Sequence, residues 1–228
     1  MKYTSKFILN WEEYEFAAPS GWRQPWANTV AYYPLTEDFN DYSWNSYNLT
    51  QNSAQITTLD WVKCCDLNSS YCSAGFSINT LPCTMVFWAK ANSISNMFLS
   101  VVFNDSTQHR WWWGIMTRNV DELIVRYWNP TDQSSPISHT FDTNWNLYAI
   151  TLDSSGGVLY VNGNSYQLKT NLSNPSWSGS PLRIWANEVW QTWWWNWYIS
   201  NLILEDKAWT AQEVSDYFNQ TKSLYGIS

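Results

Sequence analysis

Asp38, Asp41 and Asn45 fall within one short polar stretch, and hard oxygen donors at such close spacing suit Ca²⁺. The same residue types also cap turns through their side-chain oxygens, so the stretch reads either as a structural calcium loop or as a set of turn caps. A second group of candidates is aromatic. Trp112, Trp113, Tyr127, Trp194 and Trp195 are placed where exposed rings beside polar groups would form a platform for a sugar or another surface ligand. Trp88, Trp145 and Trp209 read instead as core residues.

Catalytic constellations are scarce. A glycosidase needs two carboxylates on one concave face, about 5–5.5 Å apart for a retaining mechanism. Asp121-Glu122 and Glu205-Asp206 are adjacent pairs, which point to opposite faces of a strand and read as solvated. His109 and His139 lie near no Ser or Cys in a nucleophile motif and read as surface or satisfied residues. No glycine-rich phosphate loop is present. Cys64, Cys65, Cys72 and Cys83 match no zinc spacing. They leave open a disulfide such as Cys65–Cys72 or a set of buried free thiols, and the lack of a recognisable secretory signal favours thiols.

The chain of 228 residues carries a net charge of −7 and 45% hydrophobic residues, enough for one sizeable core. No Lys/Arg run offers a nucleic-acid surface. No apolar stretch approaches the length of a membrane span, so neither nucleic acid nor membrane insertion is expected. Localisation stays open, since export by another route or attachment to a virion would leave no signal peptide.

The elements that position these residues are short strands. Tyr3–Leu9 and Glu13–Ala17 read as a hairpin (residues 1–17), followed by a Pro- and Ser-containing linker (18–27) and a main domain (28–228). Strand patterns cover Thr29–Leu35, Thr84–Ala91, Met97–Phe103, Trp111–Met116, Glu122–Trp128 and Leu147–Leu152, then Val158–Val161, Ser165–Leu168, Leu182–Ala186 and Trp197–Leu204. Thr36–Asn52 reads as a long loop and Ser223–Ser228 as a tail. Asn162-Gly163 is a hairpin signal, because a type I′ turn needs positive φ at both central residues. Thr210-Ala211-Gln212-Glu213 is a capping box opening a helix whose Val214, Tyr217 and Phe218 should pack inward. The predicted fold is all-β, a two-sheet antiparallel jelly-roll sandwich with one short C-terminal helix.

Composition poses a separate question. The chain has 19 Trp but only 8 Gly, and several Trp stand where a turn wants glycine. UGA codons that mean glycine in the source but are rendered as tryptophan would explain this. The suspects are Trp11, Trp22, Trp26, Trp44, Trp61, Trp111, Trp128, Trp177, Trp185, Trp190, Trp193 and Trp197. Restoring them would raise Gly to about 9%, near the ordinary share of about 7%.

Several stretches in order resemble the laminin G-like, concanavalin A-like lectin/glucanase jelly-roll family. They are Val30–Leu35 with the Asp38–Ser43 loop, Phe87-Trp88-Ala89-Lys90, Asn144–Asp153 with Leu159–Gly163, and Trp197–Leu204 leading through Ala208-Trp209-Thr210 into the helix. The resemblance spans roughly residues 28–225, with Trp44 and Trp197 standing where the family has glycine. It implies binding rather than turnover, hence a non-catalytic carbohydrate- or surface-ligand-binding module. It also implies a Ca²⁺ between the Asp38–Asn45 loop and the closing strand, where Asn201 stands in place of the usual Asp. The hairpin and linker resemble the anchoring end of phage tail or fibre accessory proteins, which implies virion-associated adhesion and, in a tail or fibre, an oligomer. A spacer domain without ligand and a glycan hydrolase are the alternatives.

Overall fold

The computed structural model describes residues 5–9, 12–16, 27–68, 70–78, 80–92, 100–105, 110–119, 122–129, 131–132, 135–170, 172, 181–185 and 197–228. Strands β1 (Ser5–Leu9) and β2 (Glu12–Phe16) pair antiparallel as a separate two-stranded sheet. There follow β3 (Thr29–Tyr33), β4 (Thr50–Asn52), β5 (Gln55–Leu59), β6 (Val62–Asp66), β7 (Tyr71–Ala74) and β8 (Cys83–Ala91). Next come β9 (Ser100–Asp105), β10 (Arg110–Asn119), β11 (Glu122–Asn129), β12 (Thr131–Asp132) and β13 (Ser135–Ser138). The last strands are β14 (Asn146–Asp153), β15 (Gly156–Val161), β16 (Asn164–Thr170), β17 (Leu182–Trp185) and β18 (Trp197–Glu205), before helix α1 (Ala211–Thr221).

These strands form two eight-stranded sheets. One runs β16-β15-β14-β8-β18-β6-β5 with β3 also on β18, and the other runs β12-β11-β10-β9-β17-β7-β4 with β13 also on β11. Every pairing between named strands is antiparallel, as expected for the jelly-roll sandwich.

The centre of the first sheet is buried on both faces, and its sequence shows why. In β8, Met85, Phe87 and Ala89 enter the core between the sheets, while Val86 and Trp88 turn to the outer face. Strand β14 divides likewise, with Tyr148, Ile150 and Leu152 inside and Leu147 and Ala149 outside. Side chains alternate along a strand, so a continuous apolar run serves two cores at once. The outer core is closed by α1. Its capping box is present, with Thr210 Oγ1 accepting from Glu213 N at 3.2 Å and Glu213 Oε2 accepting from Thr210 N at 2.8 Å. Val214 and Tyr217 are buried, and Phe218 stacks on Trp88 at 5.9 Å.

The expected tail at Ser223–Ser228 is corrected. Lys222–Tyr225 forms a 3₁₀ turn, and Tyr225 is buried with its ring 4.1 Å from that of Trp88. The expected loop Thr36–Asn52 ends earlier, at β4, and β5 to β7 follow in a region with no predicted strand. Trp88, Trp145 and Trp209 are core residues, as expected.

Two of the suspect tryptophans have opposite environments. Trp197 lies in extended β18, 2% exposed, with its ring edge-on to Phe141 at 6.3 Å, so its backbone needs no glycine there. Trp61 is 95% exposed and has φ of 66°, a conformation in which a bulky residue is an outlier.

Candidate functional site

The polar stretch singled out by its oxygen donors is a surface loop joining β3 to β4, and one carboxylate organises it. Asp41 is 8% exposed. Its Oδ1 accepts from Tyr32 N at 2.9 Å and Ser43 N at 2.8 Å, and its Oδ2 accepts from Ser43 Oγ at 2.8 Å and Tyr47 N at 2.9 Å. A carboxylate offers about four lone-pair sites, and all four are occupied. Asp41 N donates to Asn48 Oδ1 at 2.9 Å, and Leu49 N donates to Phe39 O at 2.9 Å. Asn45 Nδ2 donates to Val30 O at 2.9 Å, tying the loop back to β3.

The calcium ligand set expected here does not fit this arrangement. A cation would have to displace the backbone donors from Asp41. Asp38 is a local cap, with Oδ1 accepting from Asn40 N at 3.0 Å and Oδ2 from Tyr42 Oη at 3.3 Å. Asn201 sits where β18 exchanges one neighbour, β6, for the other, β3; it has φ of 58° and donates its N–H to Pro34 O at 3.0 Å. Its side chain hydrogen-bonds with Tyr225, and its buried Oδ1 has no partner. Among the described residues no three His, Cys, Asp or Glu side chains are grouped to hold a metal ion.

The pinned loop presents aromatic rings to solvent. Tyr42 is 50% exposed and Trp44 86%, while Tyr47 is 39% exposed with one face stacked on Phe76 at 4.5 Å. Tyr33 Oη donates to Tyr47 O at 2.6 Å, which fixes the loop from below. Burial, and then Asp38, raise the Tyr42 phenol above its ordinary pKa, so it stays a neutral hydroxyl at physiological pH. The loop therefore combines exposed rings with the carboxylate of Asp38 and the amides of Asn40 and Asn45, a mixture suited to hydroxylated ligands.

Of the five aromatic residues expected to form the platform, three lie in strands of the other sheet. Trp112 and Trp113 lie in β10 and Tyr127 in β11, with Trp113 opposite Tyr127 in register and a bulge between Trp111 and Trp113. Trp194, Trp195 and His109 lie outside the described residues. Tyr42, Trp44 and Tyr47 are not among the expected ligand residues, because this stretch stands out in the sequence for its oxygen donors and Trp44 for occupying a glycine position of the family pattern.

Several other ionisable groups among the described residues are buried away from this loop. Glu205 is 1% exposed and accepts from Thr29 Oγ1 at 3.3 Å and from Trp209 Nε1. His139 is half-buried, edge-on to Phe141 at 4.9 Å, with Nε2 buried and unpartnered rather than satisfied. Its burial lowers the pKa despite the opposing charge of Asp142. All four cysteines are buried free thiols, and burial pushes the Cys64 thiol up to about 12.

A family model described as the concanavalin A-like lectin/glucanases superfamily matches residues 66–215. No curated protein matches the chain. Solved structures share the fold. One is of botulinum neurotoxin type C, whose passage into cells is dependent upon interaction with two ganglioside molecules; it is 15% identical, with a TM-score of 0.65 over 84% of this chain and 51% of that one. Another is the binding domain of Paraclostridial mosquitocidal protein 1, 17% identical with a TM-score of 0.68 over 84% and 52%. A third is the binding domain of botulinum neurotoxin DC in complex with rat synaptotagmin II, 14% identical with a TM-score of 0.64 over 84% and 51%. The chain thus spans about half the length of these structures.

Proposed function

We propose that this chain, which belongs to the concanavalin A-like lectin/glucanase superfamily, is a non-catalytic module that binds a glycan or other surface ligand through the loop between β3 and β4. One observation carries the reading: Tyr42, Trp44 and Tyr47 stand exposed on a loop whose backbone is pinned by Asp41. A preordered aromatic surface binds without first losing loop entropy. The ganglioside and protein ligands of the neurotoxin structures support a surface ligand as the kind of partner. Adhesion at a virion surface is the finer version, and tail or capsid genes beside this gene would support it.

A glycan array on the full chain tests the proposal. Binding is expected in Ca²⁺ and in EDTA alike, and Tyr42→Ala or Trp44→Ala should each weaken it about tenfold, the effect of losing about 1.4 kcal/mol at a central contact. Binding unaffected by both substitutions would remove this loop as the site. No binding to any glycan would favour a spacer, and release of reducing ends from a polysaccharide would favour a hydrolase.

The reading of UGA as glycine is supported at Trp61, whose φ of 66° and 95% exposure suit a residue without a side chain, and not at Trp44, whose φ is not positive and which is taken as a genuine tryptophan. The nucleotide sequence tests it: a UGG codon at Trp61 would end it.

A further inference from the structure

We infer that Cys65 and Cys72 are a dithiol placed to close as a disulfide between the two sheets. Cys65 lies in β6, opposite Ile56 and Ile199 of the helix-covered sheet. Cys72 lies in β7, opposite Gln51 and Ile184 of the other sheet. Both are fully buried in the core between the sheets, each one residue in from the crossover where β6 ends at Asp66 and β7 opens at Tyr71; their thiols interact, and the Cys65 thiol also donates to Asp66 O at 3.8 Å. The segment between them carries the chain from one sheet to the other. It is fixed by Leu67 N donating to Trp197 O at 2.9 Å and Asn68 N donating to Asp66 Oδ1 at 2.8 Å.

The other two cysteines are poor partners. Cys64 is the strand neighbour of Cys65 and faces the outer core under the helix. Cys83 shares the inner core but lies in β8, opposite Leu152 of β14 and away from the crossover between β6 and β7.

A small disulfide such as oxidised glutathione supplies the oxidant. One cysteine thiolate attacks it and expels one glutathione thiolate; the second cysteine then attacks the mixed disulfide and expels the other. Two protein protons are lost and two glutathiones are formed. The neighbouring Cys72 thiol and then burial oppose ionisation of Cys65 in the finished fold, so the exchange belongs to folding, before β6 and β7 close over the core. The redox poise of the compartment in which the chain folds then decides its final state.

The test is to refold the full chain with oxidised and reduced glutathione, or with a dithiol reductant. Both samples are then alkylated under denaturing conditions and their chymotryptic peptides mapped by fragmentation mass spectrometry. The glutathione sample is expected to carry a Cys65–Cys72 link with Cys64 and Cys83 alkylated, and to melt higher than the reduced sample. Four alkylated cysteines, or a link through Cys64 or Cys83, would overturn the assignment.

Discussion

Two hairpin turns in the same sheet have nearly the same backbone and opposite sequence logic. Asn162-Gly163 joins β15 to β16, with φ of 51° and 82°. Asp60-Trp61 joins β5 to β6, with φ of 49° and 66°. Each is a two-residue loop with both central residues at positive φ, the geometry that matches the twist of paired strands. The first has the residues that this geometry selects and is supported from behind. Asn162 Oδ1 accepts from Leu147 N at 2.8 Å, Asn162 Nδ2 donates to Asn146 Oδ1 at 2.6 Å, and Asn146 Nδ2 donates to Asp142 Oδ1 at 2.9 Å. The second has an indole in the glycine position and one surface ion pair, Lys90 Nζ to Asp60 Oδ2 at 2.7 Å. The pairing of the flanking strands can impose a turn that its own residues disfavour, and the cost is stored locally.

Substitutions can break or sharpen that contrast. The largest effect is expected from Asn162→Ala, which leaves Leu147 N without its side-chain acceptor and puts alanine at positive φ. Destabilisation of about 2–3 kcal/mol should appear in urea unfolding. Gly163→Ala should cost about 1 kcal/mol. The added Cβ would meet only Phe218 Cδ1, at 3.9 Å, so the loss would be one of backbone conformation rather than crowding. Trp61→Gly should shift the midpoint the other way, stabilising by about 1 kcal/mol; a loss of stability would show that the indole supports its turn.

Acid should also distinguish the turns. Burial opposes ionisation of Asp142, but hydrogen bonds from Asn146 and Asn144 outweigh it, with His139 assisting, and the pKa lies below the ordinary carboxyl range. Its contribution is complete above the unfolded-state value and is lost as pH falls through the folded-state value. Thermal melts from pH 5 downward should therefore fall less steeply for Asp142→Asn than for the parent. Lys90→Ala should be the smallest change, within about 1 kcal/mol, because Asp60 is half exposed and salt screens the pair.

The same contrast explains what the sequence disclosed. Asn162-Gly163 could be read directly because the turn geometry is written in its residue types. Asp60-Trp61 could not, and with that turn hidden, β5, β6 and β7 were also missed. Strand β8 was legible from its alternation, and the helix as a capping box, since both are local patterns; that β8 serves two cores was not, because its outer face is covered by residues far along the chain. Tyr225 was not, because its packing on Trp88 depends on a partner far away in the chain. In the candidate site, the right loop was marked by Asp38, Asp41 and Asn45, but its chemistry was hidden. The donors that fill Asp41 include the backbone amides of Tyr32 and Tyr47, nine and six residues away, and no side-chain pattern announces them.

The pairing of β3 with β18 sets Thr29 opposite Glu205, joining the two ends of the sandwich along a single seam. A nascent chain cannot complete that seam until its last strand has been synthesised, so the sheet is finished late. Once it is finished, the points where the polypeptide enters and leaves the sandwich lie side by side. Two strands whose facing residues are 176 positions apart thus hold each other in place, and a chain stopped short of β18 would leave β3 and β8 without the neighbour they share.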